Sequence, residues 1–283
     1  MSPNLLVRIT VAVPAIGAAL VALWLGGWVL AALLALLGLL GTREVFDFAK
    51  RQGIEPLEWL GFIAAAVFPL ATYWARSYAD WEPVVYTGAV WLLLALGVAA
   101  ARGPQRHPLT TVAVTVFAPL YASSLLSFLV AIRHGPHVDA HPRGSIALAV
   151  LPLVVTWVCD TCAMAAGRLV GGAKLAPVLS PNKTWAGAIG GTGGAVVATI
   201  AYGPLVLDRV AFGLPQWQLI VIGFAIALAA QVGDVAESLF KREVGVKDSS
   251  SLVPGHGGVL DRLDSLYFVV PVAAGLFRAF GLA

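Results

Sequence analysis

QWQLIVIGFAIALAAQVGDVAESLFKR, residues 216–242, decides the fold. It opens as an unbroken apolar run and ends in acids and bases. A bilayer crossing needs about 20 apolar residues in a helix, and this run supplies them. The rest of the chain has the same texture: 59% of its 283 residues are hydrophobic and only 12% charged, with mean hydropathy +0.86. That composition places it in the membrane class, above the roughly 45–50% apolar content of soluble domains. No strand-type alternation is visible, so helices are expected rather than a barrel. The reading is an all-α, polytopic integral membrane protein of about nine transmembrane helices, over 5–24, 27–49, 57–76, 83–101, 109–132, 144–170, 185–206, 216–240 and 260–281.

The first helix resembles a signal peptide but is read as retained, because further spans follow it. Residues 1–135 hold five N-terminal helices. Residues 136–283 hold four more with the catalytic loops, all in one structural unit. Lys and Arg mark cytoplasmic loops. Lys50, Arg51, Arg102, Arg106, Lys174, Lys183, Lys241, Arg242, Lys247 and Arg262 border one set of loops, against Arg76, Arg133, Arg143 and Arg209 on the other. The N-terminus and the 170–184 and 241–260 loops are therefore expected in the cytoplasm. Net charge +3, dispersed in loops, does not suggest nucleic-acid binding. Cys159 and Cys162 form a CxxC inside an apolar run and read as packing residues rather than a redox or zinc pair. The run Gly187 to Gly194 predicts close helix packing.

The chemistry is concentrated between Ser238 and Asp264, SLFKREVGVKDSSSLVPGHGGVLDRLD. Asp234 lies about two helical turns inside the end of the 216–240 helix, a costly depth for an ionisable group and by default a functional position. Pairing with Lys241 or Arg242 is the structural alternative. Asp261 and Asp264 share one face of the next helix's first turn. One acid would complement the helix dipole. Two, with Asp234 near in sequence, look like oxygen ligands for Mg²⁺. Lys241, Arg242, Lys247 and Arg262 are suited to phosphate charge. In PGHGG the glycines allow tight backbone geometry, and His256 is either a phosphate-orienting group or a plain loop residue.

A second set runs from Asp160 to Gly187. Asp160 sits about ten residues inside the end of the 144–170 helix, with Arg168 as a candidate partner. Ser180, Lys183 and Thr184 precede a helix N-terminus, a setting that suits an anion. Weaker features read as structure: His134, His137 and His141 as a solvated turn, Arg43-Glu44 as a packed pair, Trp28 and Trp59 as interfacial anchors. Neither a P-loop nor a Rossmann glycine pattern is present.

The run S-x-x-K-R-x4-K-D-x5-P-x-H-G-G-x2-D-R-x-D, Ser238 to Asp264, resembles the signature of the CDP-diacylglycerol synthase (phosphatidate cytidylyltransferase) family. Asp160-Thr161, Gly167-Arg168, Lys174-Leu175, Pro177, Ser180-Pro181, Lys183-Thr184 and Gln231-Val-Gly-Asp234 resemble the family's other block. Cys162 and Met164 stand where the family often has Gly and Tyr, and Ala186 where an acid or amide is common. The resemblance implies CTP and phosphatidic acid as reactants, CDP-diacylglycerol and pyrophosphate as products, and Mg²⁺ with a possible monovalent cation such as K⁺. It implies Asp234, Asp261 and Asp264 as metal ligands. Asp160, Lys241, Arg242, Lys247, Asp248, His256 and Arg262 fall in the catalytic set, and Ser180, Lys183, Thr184 and Ser238 in the substrate-binding set. It also implies a homodimer. The short chain fits a bacterial inner membrane with a cytoplasmic active site. The alternatives are a CTP-dependent polyprenol or phytol kinase, disfavoured by the complete HGG-x2-DR-x-D ending, and a transporter, disfavoured by the one-sided charge and the lack of a repeat.

Overall fold

The computed structural model describes residues 3–75, 81–135, 141–210, 212–253, 255 and 257–282. The chain is an all-α, multi-pass membrane protein. Its helices are α1 Pro3–Leu25, α2 Gly27–Arg51, α3 Glu58–Ala75, α4 Trp81–Arg102, α5 Pro108–Pro119, α6 Leu125–Arg133, α7 Pro142–Val170, α8 Trp185–Tyr202, α9 Gln216–Glu243 and α10 Leu260–Ala279. Among the described residues six helical segments are long and apolar enough to cross a membrane: Gly27–Arg51, Glu58–Ala75, Pro108–Arg133, Pro142–Val170, Trp185–Val210 and Gln216–Glu243. Val13–Leu25 and Gly88–Arg102 are shorter apolar stretches. This makes six to eight apolar helices where about nine spans were expected. α10 forms, but Asp261, Arg262 and Asp264 in its first turns and Arg278 in its last lower its apolarity.

Two expected helices are interrupted. Pro119 closes α5, and a π-helical turn over Leu120–Ser124 precedes α6. Pro204 lies in a second π turn, Gly203–Leu207, which ends α8 early. Proline supplies no N–H and crowds the carbonyl of the preceding turn, so the ladder re-spaces around it. The 170–184 segment, expected as a loop, contains an antiparallel hairpin of β1 Lys174–Ala176 and β2 Ser180–Thr184, with Lys174 opposite Thr184 and Ala176 opposite Ser180.

The chain divides into two compact units. The first is Met1–Ala131 with Glu243–Arg262. Here α2 packs on its neighbours through small residues: a Cβ at Gly38 would strike Ser123, whose hydroxyl donates to the Ala65 carbonyl at 2.6 Å. The Leu57 N–H donates to Thr115 Oγ1 at 2.9 Å, above a core of Leu57, Leu60, Ala95, Ala99 and Val112.

The second unit is Ile132–Arg242 with Leu263–Ala283. Its α7 and α8 meet along the expected glycine seam. A Cβ at Gly191 would lie 2.9 Å from the Cys159 carbonyl, and one at Gly194 2.5 Å from Cys162 Sγ. Both cysteines are free thiols, filling the space the glycines leave. Large apolar side chains such as Trp74, Leu93 and Val197 are exposed, as lipid-facing residues must be.

Candidate active site

In the second unit a cavity of about 520 Å³ is lined by residues of α7, the hairpin, α8 and α9, among them Asp160, Arg168, Asn182, Lys183, Gln231 and Asp234. Each element brings its group for a local reason. On α7, Asp160 lines the cavity, next in the chain to Cys159, which meets Gly191. On β2, Lys183 lines the cavity with both of its neighbours, and Thr184 ends the strand as the N-cap of α8, its Oγ1 accepting from Gly187 N at 3.1 Å. On α9, Gln231 is held by bonds from its Nε2 to Thr192 Oγ1 (3.0 Å) and the Ala188 carbonyl (3.3 Å). That leaves Asp234, three residues on, facing the cavity.

Lys183 Nζ and Asp234 Oδ2 are 2.6 Å apart, with side chains 24% and 36% exposed. The sequence offered Lys241 or Arg242 as the partner of Asp234. Lys241 instead bonds Glu237 Oε2 at 2.7 Å, one turn back on α9 and fully buried, while Arg242 Nε donates to the Leu179 carbonyl in the hairpin turn at 3.3 Å. Ser238 is buried beside this pair on α9, and Ser180 starts β2. Asp264, on α10, accepts from the Ser265 N–H at 2.7 Å. It lies in the field of Asp234, as does Asp160, which also feels Lys183.

In the first unit the described residues between α9 and α10 are drawn together by hydrogen bonds. Val253 N donates to the Gly257 carbonyl at 2.8 Å. Asp261 Oδ2 accepts from Ser249 N (2.7 Å) and Gly258 N (2.8 Å) and lies 2.9 Å from Ser249 Oγ, whose one proton it shares with Glu44, so this carboxylate oxygen ties the turn together. Gly257 has φ +81°, and a Cβ there would lie 2.5 Å from Asp261 Oδ2. Lys247, Asp248 and Arg262 are exposed on the same unit. His256 lies outside the described residues, as does His137; His141 stacks edge-on against Phe212 at 5.6 Å.

Glu44 corrects the reading of Arg43-Glu44 as a packed pair. Only 3% exposed on α2, it accepts four hydrogen bonds from the turn: Ser249 Oγ (2.8 Å), Ser250 Oγ (2.7 Å), Val259 N (2.9 Å) and Leu260 N (2.9 Å). Adjacent helical residues point apart, so Arg43 was a poor candidate partner. The overlooked signal was an acid two turns inside an apolar helix, the depth rule that singled out Asp234.

Among the described residues no three His, Cys, Asp or Glu side chains converge closely enough to hold a metal by themselves. The donor set nevertheless suits Mg²⁺, a hard cation usually held by one or two carboxylates plus substrate phosphates rather than an all-protein cage. Asp160, Asp234 and Asp264 offer only oxygens, and each of the outer two feels the negative charge of Asp234.

The fold and cavity define a polytopic helical membrane protein with a charged pocket among apolar helices. The chain belongs to the cytidylyltransferase family, whose model matches residues 6–280, within it the CDP-diacylglycerol synthase group. It is similar to the phosphatidate cytidylyltransferase of Synechocystis sp., at 30% identity over 94% of each chain. It is 46% identical over 140 residues to that of Brucella suis, covering 50% of this chain and 48% of the relative. With that of Staphylococcus haemolyticus it shares 45% over 119 residues, 42% of this chain and 44% of the relative. The Brucella and Staphylococcus matches thus span about half the length of those relatives or less.

Proposed function

We propose that this protein is a phosphatidate cytidylyltransferase, transferring CMP from CTP to phosphatidic acid to give CDP-diacylglycerol and pyrophosphate. The observation that carries this reading is the meeting of Lys183, Asp234, Asp160 and Arg168 on one cavity walled by apolar helices. The similarity to relatives named for this activity supports it.

The lipid phosphate is already an anionic nucleophile, so attack on the α-phosphorus of CTP needs no strong base. The difficulty is to hold two anions together and neutralise charge as pyrophosphate leaves. Lys183 and Arg168, both on the cavity lining, would bind phosphate oxygens; Asn182 and Thr184 flank Lys183 on that lining, and Ser180 begins the same strand. Lys241, held by Glu237, and Arg242, held at the hairpin turn, present charge at the end of α9, beside Ser238. Lys247, Asp248 and Arg262 form a further polar set on the loop, in the stretch of sequence that also holds His256. Asp234 and Asp264, with Asp160, would hold Mg²⁺, and the reading also includes a monovalent cation such as K⁺. When bound, the divalent ion would neutralise polyphosphate charge. Asp261, its Oδ2 engaged by the turn, serves as a loop-holding residue in this reading. The reading includes about nine membrane helices with the N-terminus and basic loops in the cytoplasm of a bacterial inner membrane, a homodimer, and no nucleic-acid partner.

The test is transfer of labelled CMP from CTP into lipid by purified protein in detergent, with phosphatidic acid or a polyprenol, and Mg²⁺ or EDTA. Mg²⁺-dependent label only with phosphatidic acid is the expected result. CDP release with the alcohol alone would replace the synthase reading with a kinase.

A further inference from the structure

We infer that Glu44 is a positioning residue for the transfer reaction, a buried carboxylate on α2 that holds the Ser249–Leu260 turn in its working shape. The inference rests on the cytidylyltransferase reading. Glu44 lies more than 200 residues upstream of the segment it holds, and is 3% exposed. Its four donors are divided evenly. Oε1 accepts from Ser250 Oγ and Val259 N, and Oε2 from Ser249 Oγ and Leu260 N. Each oxygen therefore meets one hydroxyl and one backbone N–H.

This division makes the charge, and not only the shape, necessary. In an amide of the same size one oxygen becomes NH₂. Whichever way it is flipped, that NH₂ faces either the Val259 or the Leu260 N–H. A serine hydroxyl can turn to accept, but a backbone N–H cannot, so one donor is left unsatisfied in a dry site. The turn is built around the carboxylate in a second way: a Cβ at Gly258 would lie 2.5 Å from both Glu44 oxygens and collide with Ser249 Oγ. Ser249 also joins Glu44 to Asp261, since its Oγ is 2.8 Å from one carboxylate and 2.9 Å from the other. Glu44 thereby sets the backbone from which Lys247, Asp248 and Arg262 project, while touching no reactant itself.

The experiment compares wild type, Glu44→Gln and Glu44→Asp in detergent, with Glu55→Gln, which removes an exposed charge paired with Arg106 in the same unit, as the control. Glu44→Gln is expected to lower kcat/KM for CTP about 10- to 100-fold, with the melting temperature shifted by less than about 5 °C. Glu44→Asp, which keeps both oxygens on a shorter stem, recovers part of the loss, and Glu55→Gln matches wild type. In hydrogen exchange, peptides covering 247–262 exchange faster in Glu44→Gln while those of α3 do not change. Wild-type kcat/KM in folded Glu44→Gln overturns the proposal, as does recovery by neither charge nor length. If Glu44→Gln does not fold, Ser249→Ala/Ser250→Ala removes only the hydroxyl half of the clamp. A smaller loss of kcat/KM is then expected, and wild-type values overturn the proposal. Inactive wild type would sink the cytidylyltransferase reading instead, and wild-type exchange at 247–262 in Glu44→Gln would still overturn the clamp.

Discussion

Replacing Lys183 by Met separates a catalytic lysine from a structural one. The pair with Asp234 is short, 2.6 Å, but its side chains are 24% and 36% exposed to the cavity. A pair so open to water contributes about 0–1 kcal/mol to stability. Lys183→Met should therefore lower stability by no more than about 1 kcal/mol, a shift of about 2–4 °C for a chain of this size. Its role in transfer is of another order. Removing a group that stabilises charge in the transition state costs about 10²- to 10³-fold in kcat, or about 2.7–4 kcal/mol. Lys183→Arg should recover only part, because a planar fork does not replace a point charge at the same place. The assay is labelled CMP transfer at saturating substrates, beside a thermal melt of the same preparation. A loss under tenfold, or a melt that collapses with the activity, would refute the reasoning. The first outcome would make the pair ornamental; the second would make it part of the fold.

Asp264→Asn should abolish Mg²⁺-dependent transfer while the protein still inserts and melts cooperatively; near-wild-type activity would remove Asp264 from the proposed metal set. Gly194→Ala drives a Cβ to 2.5 Å from Cys162 Sγ and should cost about 1–3 kcal/mol. Adding Cys162→Gly should return about 1 kcal/mol or more, and additive losses in that double-mutant cycle would show the seam is not where the two meet. Gly257→Ala imposes a positive φ on a side chain and presses it on Asp261. Activity should fall about tenfold or more from roughly 1–2 kcal/mol of backbone strain alone, and unchanged kcat/KM would contradict it.

Much of this molecule could be read in the chain. The 216–240 helix appears as Gln216–Glu243, and the glycine seam and the packing cysteines stand where apolar periodicity and small residues put them. The hairpin could not be read, because Lys174–Ala176 and Ser180–Thr184 are too short for alternation to register and are separated by Pro177. Partners were harder still. Asp234 turned out to pair with a strand lysine 51 positions upstream instead of its helical neighbours, since distance along the chain says nothing about which loop folds back. The hydrogen bonds that Asp261 Oδ2 accepts from Ser249 N and Gly258 N were equally illegible, because a carboxylate in a first turn does not announce which loop donors fold onto it.

The reach of Glu44 has a consequence during synthesis. Its nearest partner in sequence is 205 residues downstream and its farthest 216. At about 5–20 residues per second, roughly 10–40 s separate the emergence of α2 from that of its hydrogen-bond donors. Throughout that interval the nascent chain carries a carboxylate in an apolar helix with none of these four donors yet made. α2 is thus made well before the segment that supplies its donors. A chain truncated before Ser249 would retain that acid without any of these four donors.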